Sequence, residues 1–157
     1  MRRVENEDHA AALVRFDGGL PGVIETSRVA LGRKMDLTFE VTGERGALRF
    51  EAERMNEIGL YLDEKTGSGF RRILIEPAHP DYGAFLPAPG HGLGFNDLKT
   101  IEIKAFLDGI AAGVNAQPDL VEAARISRIC EAILDSAASG RWVERPEGAP
   151  SRERTSE

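Results

Sequence analysis

At Glu76 the chain changes its repeat, and that change restricts the folds open to it more than any other feature. Before it, short runs rich in branched and aromatic residues alternate in polarity between glycine-bearing turns, the period of two that belongs to half-buried strands. Ala10–Asp17 and Gly22–Ala30 flank Gly18-Gly19-Leu20-Pro21, with Asp17-Gly18 supplying hairpin-turn chemistry. Asp36–Thr42 and Ala47–Glu51 flank Gly43-Glu44-Arg45-Gly46, whose glycines are expected to take the positive φ that closes a tight turn. Ile58–Asp63 and Phe70–Glu76 flank Glu64–Gly69, a longer connection expected to be mobile. Six strands in three antiparallel pairs follow.

Residues 77–94 show neither repeat and are punctuated by Pro77, Pro80, Pro87, Pro89 and four glycines. An ordered loop is expected, since Tyr82, Phe85 and Phe95 give it side chains to pack with. Apolar spacing then turns helical. Asn96 or Asp97 is positioned to cap a helix over Asp97–Gly113 whose stripe is Ile103, Phe106, Leu107, Ile110 and Val114. Asp119 is positioned to cap a second, Glu122–Ser139, with a stripe of Ile126, Ile129, Cys130, Ile133, Leu134 and Ala137, and Gly140 ends it.

In the strands, Leu37, Phe39 and Val41 point one way, and Asp36, Thr38, Glu40 and Thr42 the other. The first set reads as core, to be covered by the helix stripes. The expected fold is α+β: a largely antiparallel, open-faced sheet of about six strands with two main helices on one face. It fills one domain, residues 1–143, followed by a mobile tail at 144–157 whose Pro, Arg, Glu and Ser have almost nothing to bury.

Charge and cysteine usage narrow the function. With 20 Lys+Arg against 26 Asp+Glu, a net charge of −6, the chain lacks the basic excess that nucleic-acid binding requires. No uncharged apolar run approaches the roughly 20 residues of a membrane helix, so no membrane partner is expected. The single Cys130 excludes an internal disulfide and a cysteine zinc site and fits a reducing, cytoplasmic setting. Placed in the apolar stripe, it reads as a small buried hydrophobe.

Few residues suggest chemistry. Gly90-His91-Gly92-Leu93-Gly94 precedes a helix, but it is neither a dinucleotide fingerprint nor a P-loop, so it reads as a backbone-shaping loop, with substrate contact as the second reading. His9, His79 and His91 have no helical spacing to one another and predict no metal site; His79 beside Asp81 reads as an exposed loop histidine. His91, with glycine neighbours that allow close approach, reads first as a loop histidine with a structural hydrogen bond and second as one able to exchange a proton or hydrogen bond with a hydroxyl. Glu53-Arg54-Met55-Asn56-Glu57 offers two carboxylates, a basic group and an amide that could form a site but reads first as a turn-capping surface, and Gly32-Arg33-Lys34 reads as either a solvated basic turn or an anchor for an anionic or polyol ligand.

Several segments together, in order, carry a resemblance. They are Glu7-Asp8-His9-Ala10-Ala11, Arg15-Phe16-Asp17-Gly18-Gly19, Gly22-Val23-Ile24-Glu25-Thr26-Ser27-Arg28, Phe39-Glu40-Val41-Thr42-Gly43 with Gly46, Glu53–Glu57, and Pro87–Phe95. From about Val4 to Val143 the chain resembles the C-terminal domain of the glucose-fructose oxidoreductase / inositol dehydrogenase (Gfo/Idh/MocA) family, closest in flavour to sugar or inositol dehydrogenases.

The resemblance implies an NAD- or NADP-dependent oxidation of a secondary alcohol on a sugar or cyclitol, carried out by a two-domain protein. In that family a Rossmann half binds the cofactor and brings a catalytic lysine from a Glu-Lys-Pro motif. Neither Glu-Lys-Pro nor G-x-G-x-x-G occurs here, and Asp8-His9 lacks the family's Asp-x-x-x-His spacing. No catalytic, cofactor or metal residue is therefore assigned, and the chain alone is expected to be inactive. Its implied role is substrate binding and oligomerisation. Arg33, Lys34, His91 and Phe95 are the residues expected to touch a sugar or polyol, Phe95 standing where many members carry Tyr. The implied partners are a second copy, in a dimer or a tetramer, and a separately encoded Rossmann half. Thr26, Arg28, Thr38, Glu40 and Thr42 are expected on the dimer face. The alternative class is a stand-alone, non-enzymatic dimerising or weakly carbohydrate-binding module.

Overall fold

The structure is a computed structural model that describes residues 6–64 and 67–144. The expected tail, beyond Glu144, and Lys65-Thr66 of the expected mobile connection lie outside the described residues. The chain forms two compact units, one from residues up to Val29 together with those from Asp108 onward, the other from Ala30 to Leu107.

The first unit holds a hairpin of β1 (His9–Arg15) and β2 (Pro21–Ser27), antiparallel with Leu13 opposite Val23. The turn between them needs glycine. Gly18 and Gly19 take φ of 81° and 84°, which side chains with a Cβ adopt only with strain. Helix α1 (Phe95–Ala112) ends in this unit, where the chain folds back so closely on Gly109 that a Cβ there would meet the Val114 carbonyl oxygen at 3.0 Å. Helix α2 (Leu120–Ser139) starts as expected, with the Asp119 carboxylate accepting from the Glu122 N–H at 2.9 Å, and stops at Gly140 in the left-handed region. After it, Arg15 lies 5.1 Å from the ring centroid of Trp142.

The second unit holds β3 (Thr38–Gly43), β4 (Gly46–Glu51), β5 (Glu57–Leu62) and β6 (Arg71–Leu74) in that spatial order, all pairs antiparallel. The α+β class, the six strands, their three hairpins and both helices therefore stand as expected. The strands divide differently: they form one two-stranded and one four-stranded sheet, with β2 and β3 unpaired. Between those strands, Arg28 and Leu37 each extend a ladder by one bond, Arg28 N–H to the Asp8 carbonyl and Ala52 N–H to the Leu37 carbonyl, and the stretch between them carries the Gly32 turn and Met35 with φ 54°. Gly43 and Gly46 are not needed for positive φ. At Gly46 the reason is space, because a Cβ would stand 2.3 Å from the Tyr61 carbonyl oxygen of the neighbouring strand.

Burial departs further from expectation. Leu37, Phe39 and Val41 are exposed rather than core, because β3 is an edge strand with a neighbour on one side only; Phe39 leans on Phe50, ring centroids 5.4 Å apart. Ile103, Phe106, Leu107, Ile110 and Val114 are exposed as well, so the α1 stripe is not covered by the strands. On α2 the sheltered line runs through Glu122, Arg125, Ile129, Ile133 and Ser136, one position round from the expected stripe. Cys130 accordingly lies exposed instead of acting as a buried hydrophobe. Among the described residues the buried apolar side chains are Leu86 and Leu93, both from the long loop. The loop is thus ordered and packed, though through its leucines; Tyr82 and Phe85 are half-buried and Phe95 is exposed.

Candidate functional site

Two segments expected to reach a ligand, Gly32-Arg33-Lys34 and His91–Phe95, both belong to the second unit. They are 60 residues apart in sequence, and one short element ties down both. The chain leaves β4 into a 3-10 turn at Ala52–Arg54 and re-enters the sheet at Glu57. From that turn the Glu53 carboxylate accepts a hydrogen bond from the Lys34 backbone N–H. Three residues on, the Asn56 side chain accepts from the Leu93 N–H at 2.7 Å and donates to the Leu93 carbonyl at 3.1 Å. A primary amide pairs with both backbone groups of one residue because it offers an acceptor and a donor side by side.

The clamp also explains a glycine. A Cβ on Gly92 would stand 3.0 Å from the Asn56 side-chain nitrogen, so the small residue lets the loop backbone come within reach of the amide. The carbonyl of Asn56 accepts from the Ile75 N–H at 2.9 Å, which anchors the clamp to the sheet edge beside β6.

Around this frame the expected site side chains are set individually. Arg33 pairs with Asp36 at 3.3 Å, while the other carboxylate oxygen of Asp36 accepts from the Thr38 hydroxyl at 2.7 Å. That contact engages one edge of the guanidinium, a group with five N–H donors. The ring of His91 has Nδ1 at 3.0 Å from the Ala88 carbonyl oxygen. A carbonyl can only accept, so Nδ1 carries the proton and Nε2 is the acceptor of the neutral ring. Phe95, the first residue of α1, is exposed, with the Lys99 ammonium 5.6 Å from its ring centroid. Helix α1 starts before either expected cap. Asp97 lies in the first turn instead and reaches back to accept from the Gly94 N–H at 2.8 Å.

Guanidinium and ammonium donors, an imidazole acceptor and an exposed aromatic ring are each groups able to meet the hydroxyl edges and C–H faces of a sugar. Glu53 and Asn56, which organise the two segments, stand in the Glu53–Glu57 span that the sequence offers as a site but reads first as a turn cap; what the sequence does not show is what they bind. Their partners are 19 and 37 residues away, and no local spacing reports such contacts.

The five residues expected on a dimer face fall in two units. Thr26 is on β2 in the first unit and Arg28 just beyond it, its N–H donating to the Asp8 carbonyl at 2.7 Å. Thr38, Glu40 and Thr42 share one face of β3 in the second unit, opposite Glu51, Arg49 and Ala47 of β4. His79 is half-buried rather than exposed, its Nδ1 accepting from the Glu76 N–H at 3.0 Å. No group of three metal-ligating side chains occurs among the described residues, and no described helix is long and apolar enough to cross a membrane.

Residues 1–144 match the oxidoreductase family, C-terminal alpha/beta domain, of the Gfo/Idh/MocA group. The chain belongs to this family. It is 34% identical over 146 residues to levoglucosan dehydrogenase of Pseudarthrobacter phenanthrenivorans, a match that covers 92% of this chain and 37% of that protein. The solved structure of levoglucosan dehydrogenase in complex with NADH and levoglucosan superposes with a TM-score of 0.86 at 34% identity, over 92% of this chain and 40% of that one. An NAD binding oxidoreductase from Klebsiella pneumoniae gives 0.85 at 36% identity, over 94% and 40%. The chain thus spans about two fifths of the length of these relatives.

The family relation implies a nicotinamide cofactor, and the residues described here do not fit one. Dinucleotides sit where a parallel strand passes through a glycine-rich turn into a helix. Every strand pair described is antiparallel, and the passage from β6 to α1 runs through the long proline-bearing loop.

Proposed function

We propose that this chain is the substrate-binding and oligomerisation domain of an NAD(P)-dependent dehydrogenase that oxidises a secondary hydroxyl of a sugar or cyclitol. The observation that carries the reading is the frame of Glu53 and Asn56. It fixes the backbones of the Arg33–Lys34 turn and the His91–Phe95 loop to one four-residue span, as a ligand-holding pair of loops requires. In this reading Arg33 and Lys34 donate to ring hydroxyls, His91 Nε2 accepts from one, and Phe95 covers an apolar sugar face. Levoglucosan is the first sugar to try, because the relative at 34% identity is a levoglucosan dehydrogenase.

The domain orients substrate and performs no chemistry by itself. In this reading hydride transfer and proton removal belong to the cofactor-binding half of such a dehydrogenase. Two copies associate through the β3–β4 face that bears Thr38, Glu40 and Thr42, in a cytoplasmic protein. Calorimetric titration tests the reading: levoglucosan or myo-inositol gives saturable heat, and NAD and NADP give none. Saturable binding of either dinucleotide, or no response to any sugar or cyclitol, would overturn it.

A further inference from the structure

The chain holds two Asp-Gly steps, Asp17-Gly18 and Asp108-Gly109, and the fold treats them oppositely. Asp-Gly is the aspartyl step most open to attack by the backbone on its own side chain, because glycine sets no Cβ beside the attacking nitrogen. The first step lies in the exposed turn between β1 and β2. There Gly18 takes φ of 81°, and a Cβ built on it would meet nothing within 4 Å, so the space around this peptide is open. Two backbone bonds close the turn, Phe16 N–H to the Leu20 carbonyl at 2.8 Å and Gly19 N–H to the Phe16 carbonyl at 3.0 Å, and neither uses the Gly18 nitrogen.

The second step lies inside α1. Gly109 is buried, its N–H belongs to the helix ladder, and a Cβ on it would meet the Val114 carbonyl oxygen at 3.0 Å. A nitrogen held in that ladder cannot turn onto the preceding carboxyl group without opening the helix.

We propose that Asp17 is a site of isoaspartate formation and that the fold closes the same chemistry to Asp108. The Gly18 nitrogen gives up its proton and bonds to Cγ of Asp17, whose carboxyl group loses one oxygen as water; the product is a five-membered succinimide. Water then adds to one of the two ring carbonyls and breaks that C–N bond. At Cγ this restores aspartate. At the main-chain carbonyl carbon it leaves Asp17 joined to Gly18 through its side chain, with a free α-carboxylate and no net change in mass. The path from β1 to β2 is then longer by one methylene, so the two bonds that close the turn are expected to loosen.

The full chain, held folded at neutral pH in water enriched in heavy oxygen and then digested with trypsin in ordinary water, tests this by mass spectrometry. Cleavage after Arg15 and Arg28 leaves Asp17 as the only aspartate of its peptide, and cleavage after Lys104 and Arg125 releases Asp108 in another. Two changes are expected at Asp17: uptake of heavy oxygen, and a second peptide form that takes a methyl group from S-adenosylmethionine through an isoaspartyl carboxyl methyltransferase, the freed α-carboxylate being the acceptor. Neither is expected at Asp108 in the folded chain. In urea both steps should take up label, which separates protection by α1 from any difference in sequence. Asp17→Glu, which keeps the charge and lengthens the side chain by one methylene, should lose the label at that position. No label at Asp17 in the folded chain, or equal label at Asp17 and Asp108, would overturn the proposal.

Discussion

Truncating Asn56 to alanine isolates the contact on which the candidate site depends. The substitution removes an acceptor 2.7 Å from the Leu93 N–H and a donor 3.1 Å from its carbonyl, and Leu93 is only 6% exposed. Each buried backbone group left without a partner costs about 1–3 kcal/mol, less where water can enter. The carbonyl, lying beside the exposed Gly92 and Gly94, is the one water reaches first. The expected loss is therefore about 2–4 kcal/mol, and it falls on the loop rather than on the ladders, since the Asn56 backbone bond to Ile75 survives. Native-state hydrogen exchange reads this residue by residue. At about 2 kcal/mol the Leu93 amide should exchange roughly 30-fold faster in Asn56→Ala, while β4 and β5 amides hold their rates. Asn56→Asp keeps the acceptor and sets a carboxylate against the Leu93 carbonyl, so it should not restore protection. Unchanged exchange at Leu93 in Asn56→Ala would refute the clamp, and a uniform rise across the sheet would refute its local character.

Other expectations follow from single contacts. Asp119→Ala removes the α2 cap and should cost about 1 kcal/mol in urea denaturation, with Asp119→Asn recovering most of it. Gly46→Val drives a side chain into the Tyr61 carbonyl and should cost about 2 kcal/mol or more, whereas Gly43→Ala, whose Cβ would find its nearest neighbour at 3.8 Å, should cost far less. If two copies meet through the β3–β4 face, light scattering should report twice the chain mass, and Thr38→Glu, beside Glu40 on that face, should shift the balance toward monomer; a monomer in both forms would remove the dimer from the account.

Secondary structure was legible because it rests on local patterns. The alternation of Leu37 to Thr42, the glycines at 18 and 19 and the Asp119 cap each act within a few residues, and the structure shows the corresponding strand, turn and helix start. Burial was not legible in the same way. Leu37, Phe39 and Val41 have the alternation of a core strand, but an edge position with one neighbour leaves them open, and the order of strands in a sheet is a long-range property. Cys130 shows the same limit on a helix, where a shift of one position round the cylinder moves a side chain from shelter to solvent. At the candidate site, Arg33, Lys34, His91 and Phe95 are offered by residue type and resemblance, and Glu53–Glu57 as a span able to form a site. The hydrogen bonds that Glu53 and Asn56 make to the two segments were not legible, because their partners lie far along the chain, and an Asn in a turn has the same local signature whether or not it grips a distant loop.

The central claim, that the two clamped loops of this family member hold a sugar, is tested most directly by mapping amide shifts in two-dimensional NMR as levoglucosan is added to the chain. Saturable shifts are expected at Gly32–Lys34 and His91–Phe95, with the β1–β2 hairpin and α2 unmoved. Saturable shifts centred on that hairpin or on α2, or none anywhere with levoglucosan and then with myo-inositol, would contradict it.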